Sequence, residues 1–250
     1  MNGIQGRRHG FACALLLISS LVVAATCHAR QPTDESSGDT LPPPREEYLG
    51  RRIAPYMSYL GADWLVREER AREENSDLLL KALKIPEGGV VCDLGCGNGY
   101  FTLRLAKLVG PRGRVLAVDI QPEMLELLNV RAETRGVTNV EPILGTIADP
   151  KLPAGKLDLV LLVDVYHEFS HPELMLQAIR QSLKPDGRIV LVEFREEDPT
   201  VPIRPLHKMS KRQVNKELTA NGYELVEEFD DLPWQHVMFY SREKGSESNP

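Results

Sequence analysis

The sequence predicts an α/β fold in which seven strands build a mostly parallel sheet, the last strand antiparallel, with helices on both faces. Three observations predict it. From residue 89 to residue 241, apolar strand-like runs alternate with amphipathic helix-like stretches, the pattern of parallel strands joined by crossover helices. The first of these runs, Val90 to Leu94, passes directly into three alternating glycines and then into a helical stretch. The last two runs are separated only by Asp231-Leu232-Pro233-Trp234, too short for a crossover helix, so they must lie antiparallel.

The elements ahead of the sheet read as an address, a tether and an extension. Arg7-Arg8 precedes an uncharged, mostly apolar run from Phe11 to Ala25, and Ala24, Ala25 and Ala29 offer small-residue cleavage points, as in a secretory signal peptide. At about 1.5 Å per residue the run is shorter than the roughly 30 Å bilayer core. Residues 1–30 are therefore expected to be a cleaved signal or a retained membrane anchor, with membrane association through this segment. Basic residues before the run and acids after it place the remaining chain on the exported, periplasmic side. Residues 31–47, rich in Pro, Ser and acids, read as a flexible linker. Residues 48–84 read as a helical extension in which Glu68 and Arg72, and Arg70 and Glu74, stand at i, i+4, a salt-bridged solvated helix. The alternative for this extension is a lid, with Tyr56, Tyr59 and Trp64 shaping an apolar pocket. Residues 243–250 read as a disordered tail.

Within the sheet, strands are expected at 89–95, 114–120, 140–146, 157–166, 187–194, 223–230 and 235–241. Helices are expected from Phe101 to Leu108 and, opened by Pro122, from Glu123 to Arg135; proline suits a first helical turn. The two cysteines beyond the address, Cys92 and Cys96, flank a strand end too extended for easy bridging. The domain at residues 85–242 is long enough for one good core.

The glycine turn carries the function. Glycine is needed where the backbone takes positive φ or a ligand comes within van der Waals distance, and the helix behind the turn aims free N–H groups at that ligand. A dinucleotide loop reads G-x-G-x-x-G, whereas Asp93-Leu94-Gly95-Cys96-Gly97-Asn98-Gly99 reads D-x-G-x-G-x-G. That form resembles motif I of the class I S-adenosylmethionine (SAM) methyltransferases, whose Rossmann-like fold also ends in an antiparallel hairpin. Ser182 to Arg188 is similar to the family's turn into its fifth strand, and the resemblance spans residues 85–241. It implies SAM as cofactor, held by Asp93, Gly95, Cys96, Gly97, Asn98, Gly99, Asp119, Ile120, Thr146 and Asp164. Asp93 would suit the cationic amino group and sulfonium. Asp119, closing the second strand, can accept both ribose hydroxyls; its other reading is a cap for the helix behind Pro122. At Gly145-Thr146 many relatives carry an acid that contacts the adenine amine, and Asp149 is the nearby substitute.

The fourth strand leads into Asp164-Val165-Tyr166-His167-Glu168-Phe169-Ser170-His171-Pro172, which contains H-E-x-x-H. A zinc protease needs that pattern on one helix, but an apolar strand precedes it and Pro172 fits a helix beginning. No metal ligands are assigned, and a metal-dependent hydrolase using His167 and His171 is the lesser alternative. This loop lies at the C-terminal strand edge, where open α/β sheets bind ligands, and His167, His171, His207, His236, Asp164, Glu168 and Glu193 are expected to line one pocket there. His167 or Glu168 is the expected general base, with Tyr166 orienting the acceptor. The formal charge of −6, with basic and acidic residues interleaved, argues against nucleic acid as partner. The basic group at Lys208, Lys211, Arg212 and Lys216 reads as a solvated helix face. The chain therefore reads as a SAM-dependent methyltransferase acting on a small molecule, the alternative being a SAM-binding module without catalysis.

Overall fold

The computed structural model describes residues 41–243. The signal or anchor, most of the linker and all of the C-terminal tail but Glu243 lie outside the described residues. Among the described residues, no helix is long and apolar enough to cross a membrane.

The strands are β1 (Glu47–Tyr48), β2 (Arg51–Arg52), β3 (Val90–Leu94), β4 (Arg114–Asp119), β5 (Val140–Leu144), β6 (Leu157–Val163), β7 (Leu183–Arg195), β8 (Lys208–Met209), β9 (Tyr223–Phe229) and β10 (Gln235–Arg242). The helices are α1 (Arg70–Glu74), α2 (Ser76–Ala82), α3 (Thr102–Val109), α4 (Pro122–Thr134), α5 (Pro172–Ser182) and α6 (Lys211–Ala220). The main sheet runs β5-β4-β3-β6-β7-β10-β9, and β8 pairs with β7 off that path. Strands β3 to β7 are mutually parallel. β10 is antiparallel to both neighbours, β7 and β9, as the short link before it requires.

Alternation along each strand builds two cores. Val91, Leu159, Leu161, Val190, Val192, Val237 and Phe239 pack with Leu79 of α2 and Leu105 and Val109 of α3. Their sequence neighbours Cys92, Val160, Leu162, Ile189, Leu191, Met238 and Tyr240 pack with Leu176 and Ile179 of α5 and Val214 and Leu218 of α6. Period-two burial on both faces is what a helix-covered parallel sheet demands.

Two expectations shift at the edges. β7 begins at Leu183 rather than Gly187, because a register irregularity between Leu157 and Leu159 accommodates the extra residues. The region ahead of the sheet is only partly helical: a β1–β2 hairpin and a 3-10 helix at Tyr59–Val66 precede the short α1 and α2. The linker residues from Leu41 onward make fixed contacts. The Pro42 carbonyl lies 2.7 Å from His171 Nε2, the Arg45 amide donates to Ser170 O, and Arg45 pairs with Glu173.

The strand order creates the site. β3 lies between β4 and β6, so the chain moves outward through β4 and β5 and returns on the other side of β3 at β6. Crevices open at such a switch point, beyond the C-terminal strand ends. The loops after β3 and β6 meet there.

Candidate active site

At this switch point lies a cavity of about 1180 Å³. One half is built by Leu94, Gly95, Gly97, Asp119, Ile120, Thr146 and Asp164; the other is walled by His167, Glu168, Phe169, Phe194, Ile203 and His207. The N-terminal extension supplies a further wall through Tyr56, Met57, Trp64, Leu65 and Arg70. Exceeding the roughly 300–1,000 Å³ of ordinary small-molecule pockets, it has room for two molecules side by side.

The glycine loop is packed closely by the extension and by the loop after β6. Gly97 has φ of 51°, and a Cβ there would stand 2.6 Å from Leu65 Cδ1. Gly95 has φ of 74°, and a Cβ there would collide with Val165 on the loop after β6. Both positions demand glycine by conformation and by space. Asp119 is buried at the loop's side. Its Oδ2 accepts from the Gly97 amide at 2.9 Å and its Oδ1 from the Gln121 amide at 2.9 Å. Burial raises its pKa despite these bonds. The helix cap is Gln121, which makes no capping bond of its own.

Other residues assigned to the cofactor stand behind this lining. Asp93 is turned onto Thr102, whose hydroxyl donates to it at 2.6 Å, and burial raises its pKa to about 6; it braces the loop and does not line the cavity. Cys96 is a buried free thiol, pushed well up by burial. Gly99 packs on Leu128. Asn98 accepts from Arg131 at 2.8 Å and donates to the Ala62 carbonyl at 2.8 Å, which ties the loop to the extension. Thr146 lines the cavity, and its hydroxyl accepts from the Asp149 amide at 2.9 Å. Asp149 itself is exposed and accepts from the Lys151 amide; it does not line the cavity.

Asp164, the residue just past β6, has a left-handed conformation, φ 53°, a strained setting for a non-glycine residue. Both carboxylate oxygens accept from Gln235 Nε2, at 3.0 and 2.8 Å. Burial, with Glu74 and Glu193 adding to it, pushes its pKa well above the carboxylate range.

The loop after Asp164 is a single 3-10 turn, Tyr166–Glu168, so successive side chains point in different directions. His167 and Glu168 reach the cavity. Tyr166 does not: it is fully buried and donates to Glu217 Oε2 at 2.9 Å, which makes it a support for the turn and not a hand on an acceptor. His167 Nδ1 stands 2.7 Å from Glu193 Oε2, and a carboxylate that only accepts keeps the proton on Nδ1. Nε2 faces His207 Nδ1 at 3.1 Å. Burial works to lower the His167 pKa, but Glu193 and Glu168 outweigh it and the net shift is upward. Burial lifts Glu168 to about 7 against the pull of His167, and lowers His207.

The expected seven-residue pocket edge is thus smaller than the sequence suggested. His171 precedes α5 and is held by Ser170 and Pro42. His236 is buried on β10 opposite Glu193. Neither faces the cavity, and Glu193 acts on it only through His167. The H-E-x-x-H pair is therefore split, which removes the basis for the hydrolase reading. The ligand atoms that do gather, within 4.8 Å of one another, belong to His167, Glu168 and His207, near enough to hold a divalent cation.

Several functional residues lay outside the sequence reading. Gln121 accepts from the Tyr59 amide and donates to Met57 O, so the extension is latched to the residue just past Asp119. Arg70 and Glu74 do pair at 2.8 Å, yet both are buried: Arg70 stacks over Tyr100 and Phe101, and the pair is interior, not solvated.

A family model described as a methyltransferase domain matches residues 85–242. The chain belongs to the methyltransferase-domain family. That family and fold imply S-adenosyl-L-methionine as the cofactor, and the glycine cradle, buried Asp119 and Asp164 fit it. Among relatives, nocamycin O-methyltransferase of Saccharothrix syringae is 39% identical over 109 residues, 42% of this chain and 38% of that protein. The fibrillarin-like rRNA/tRNA 2'-O-methyltransferase of Aeropyrum pernix is 28% identical, covering 79% of this chain and 84% of that one. The chain spans half or less of the length of many curated relatives it matches. A SAM-dependent methyltransferase from Aquifex aeolicus superposes with a TM-score of 0.70 at 23% identity, over 74% of this chain and 98% of that one, a likeness of fold.

Proposed function

We propose that this methyltransferase domain transfers a methyl group from SAM to a small-molecule acceptor whose oxygen, nitrogen or sulfur carries a proton to lose. The observation that carries the reading is the single cavity whose glycine-loop half suits a nucleoside cofactor and whose other half presents an apolar wall with one polar face, His167 and Glu168. When bound, SAM supplies an already activated methyl electrophile, so the chain's own task is alignment and proton removal.

Asp119 offers its carboxylate to a vicinal diol, and Gly95 and Gly97 let the cofactor approach the backbone. Phe169, Phe194 and Ile203 pack the acceptor's apolar body. With Nδ1 held by Glu193, His167 Nε2 carries the lone pair, which now faces His207 Nδ1; it accepts the acceptor's proton when the acceptor takes the place of His207 there, and the imidazolium that forms is stabilised by the Glu193 carboxylate. The net charge of −6, together with Glu46 and Glu47 beside Arg45 and Arg52 at the cavity, favours a small molecule over a polyphosphate such as RNA.

The test is incubation with methyl-labelled SAM across phenols, amines, thiols and structured RNA, read by mass spectrometry. Labelled small-molecule product, reduced about 10²–10⁴-fold in His167→Ala, is expected. Label on RNA alone, or full turnover in His167→Ala, would overturn the acceptor class or the base.

A further inference from the structure

His167, Glu168 and His207 bring three metal-binding atoms together on the acceptor side of the cavity, all within 4.8 Å of one another. His167 Nε2 is 3.1 Å from His207 Nδ1 and 3.9 Å from Glu168 Oε1. Two ligand atoms held by a tetrahedral zinc ion at about 2.0–2.1 Å stand about 3.4 Å apart, so these two separations bracket the spacing an ion requires. Two different segments supply the donors: His167 and Glu168 come from the turn after β6, and His207 from the 3-10 turn Pro205–His207 ahead of β8.

Behind this set stands the support a metal-bound histidine uses. Glu193 is wholly buried, and its Oε2 lies 2.7 Å from His167 Nδ1 while its Oε1 accepts from the His167 amide at 3.4 Å. A carboxylate on the far ring nitrogen fixes the orientation of the imidazole and strengthens the facing nitrogen as a ligand. Arg51 holds the His167 carbonyl at 2.9 Å, so the backbone of the turn is set as well. The donor types choose the ion. Magnesium and calcium take oxygen ligands, whereas imidazole suits zinc and its neighbours, and two histidines with one glutamate and an open fourth position form a known kind of zinc site. All three residues line the cavity, which leaves that fourth position to whatever enters it.

We propose that His167 Nε2, His207 Nδ1 and the Glu168 carboxylate bind a divalent cation of the zinc class, and that the bound ion blocks methyl transfer. The site rests on the donors alone. The block rests on His167 being the base: the ion takes the Nε2 lone pair that the acceptor's proton needs, so bound cation and proton transfer exclude one another.

Zinc affinity is read by competition with a chromophoric zinc indicator, and the ligand set by the visible absorption of cobalt(II) bound in its place. Wild type should bind an equivalent that excess magnesium does not displace. His207 is only half-buried, so His207→Ala spares the core; it and Glu168→Gln should each weaken that equivalent about tenfold or more and change the cobalt absorption. Glu193→Gln, which touches no ion, should weaken it by about 10–100-fold. His171→Ala breaks the H-E-x-x-H pattern but leaves all three donors, and should keep it. No zinc binding in wild type, or an equivalent that survives in both His207→Ala and Glu168→Gln, would overturn the site. Turnover is read separately: zinc should stop methyl transfer by wild type, and a chelator should restore it. Zinc bound at these residues with turnover unchanged would overturn the block, and His167 as the base with it, while the site itself stands.

Discussion

His167 Nδ1 and Glu193 Oε2 stand 2.7 Å apart, and the glutamate is wholly enclosed. A carboxylate there stabilises the imidazolium and sets the tautomer that leaves the lone pair on Nε2, the nitrogen that faces His207 Nδ1 at 3.1 Å. Because the His167 pKa is raised, the neutral, basic form gains population as pH climbs through a value above the ordinary histidine range. Activity should rise with pH on that limb. Glu193→Gln keeps the shape and removes the charge, so the imidazolium loses its support, the pKa falls, and the limb moves to lower pH with a reduced kcat. A kcat–pH profile checks it; an unmoved limb would separate Glu193 from proton transfer.

Beneath the same turn, Arg51 meets Glu217 through two bonds, Nε to Oε1 at 2.8 Å and Nη2 to Oε2 at 3.0 Å, and donates to the His167 carbonyl at 2.9 Å. Glu217 is fully enclosed. Arg51→Met leaves its charge buried without its cationic partner, and urea unfolding should show a loss of about 3–5 kcal/mol. Tyr166→Phe removes one bond to the same carboxylate and should cost about 1.5–3 kcal/mol, while kcat of the folded protein stays near wild type, since the hydroxyl faces away from the cavity.

The extension is latched at three points: Asn98 to Ala62, Gln121 to Met57, and Leu65 over Gly97. If cofactor binding tightens this closure, SAM should slow proteolytic cleavage between Tyr48 and Glu74, and Asn98→Ala should speed cleavage and weaken the protection. Gel-resolved digestion with and without SAM reads both. Identical time courses would make the extension a fixed wall.

The sheet was legible because its signals are local and redundant. Period-two apolar runs, a glycine turn and a four-residue link before β10 each constrain the topology independently. Gly95, Gly97, Asp119, Ile120, Thr146 and Asp164, expected together, do line one cavity for the same reason: strand ends and their loops share one edge. What failed was direction within a turn and burial of charge. Tyr166 and His167 are adjacent in sequence, and only the 3-10 geometry sends one into the core and the other into the cavity. Arg70 and Glu74 at i, i+4 look alike whether solvated or interior; Tyr100 and Phe101, far along the chain, decide it. His171 was expected at the pocket edge, but Pro42, from the stretch read as a tether, occupies its Nε2.

The proposed transfer requires SAM to occupy the cavity against the glycine loop and Asp119. Equilibrium titration of SAM and its demethylated product into wild type, Asp119→Ala and Gly97→Val measures this directly. One site for each ligand in wild type is expected, weakened about tenfold or more when the Asp119 carboxylate is lost and abolished when Gly97 gains a branched side chain. Absence of binding in wild type, or unchanged affinity in both variants, would contradict it.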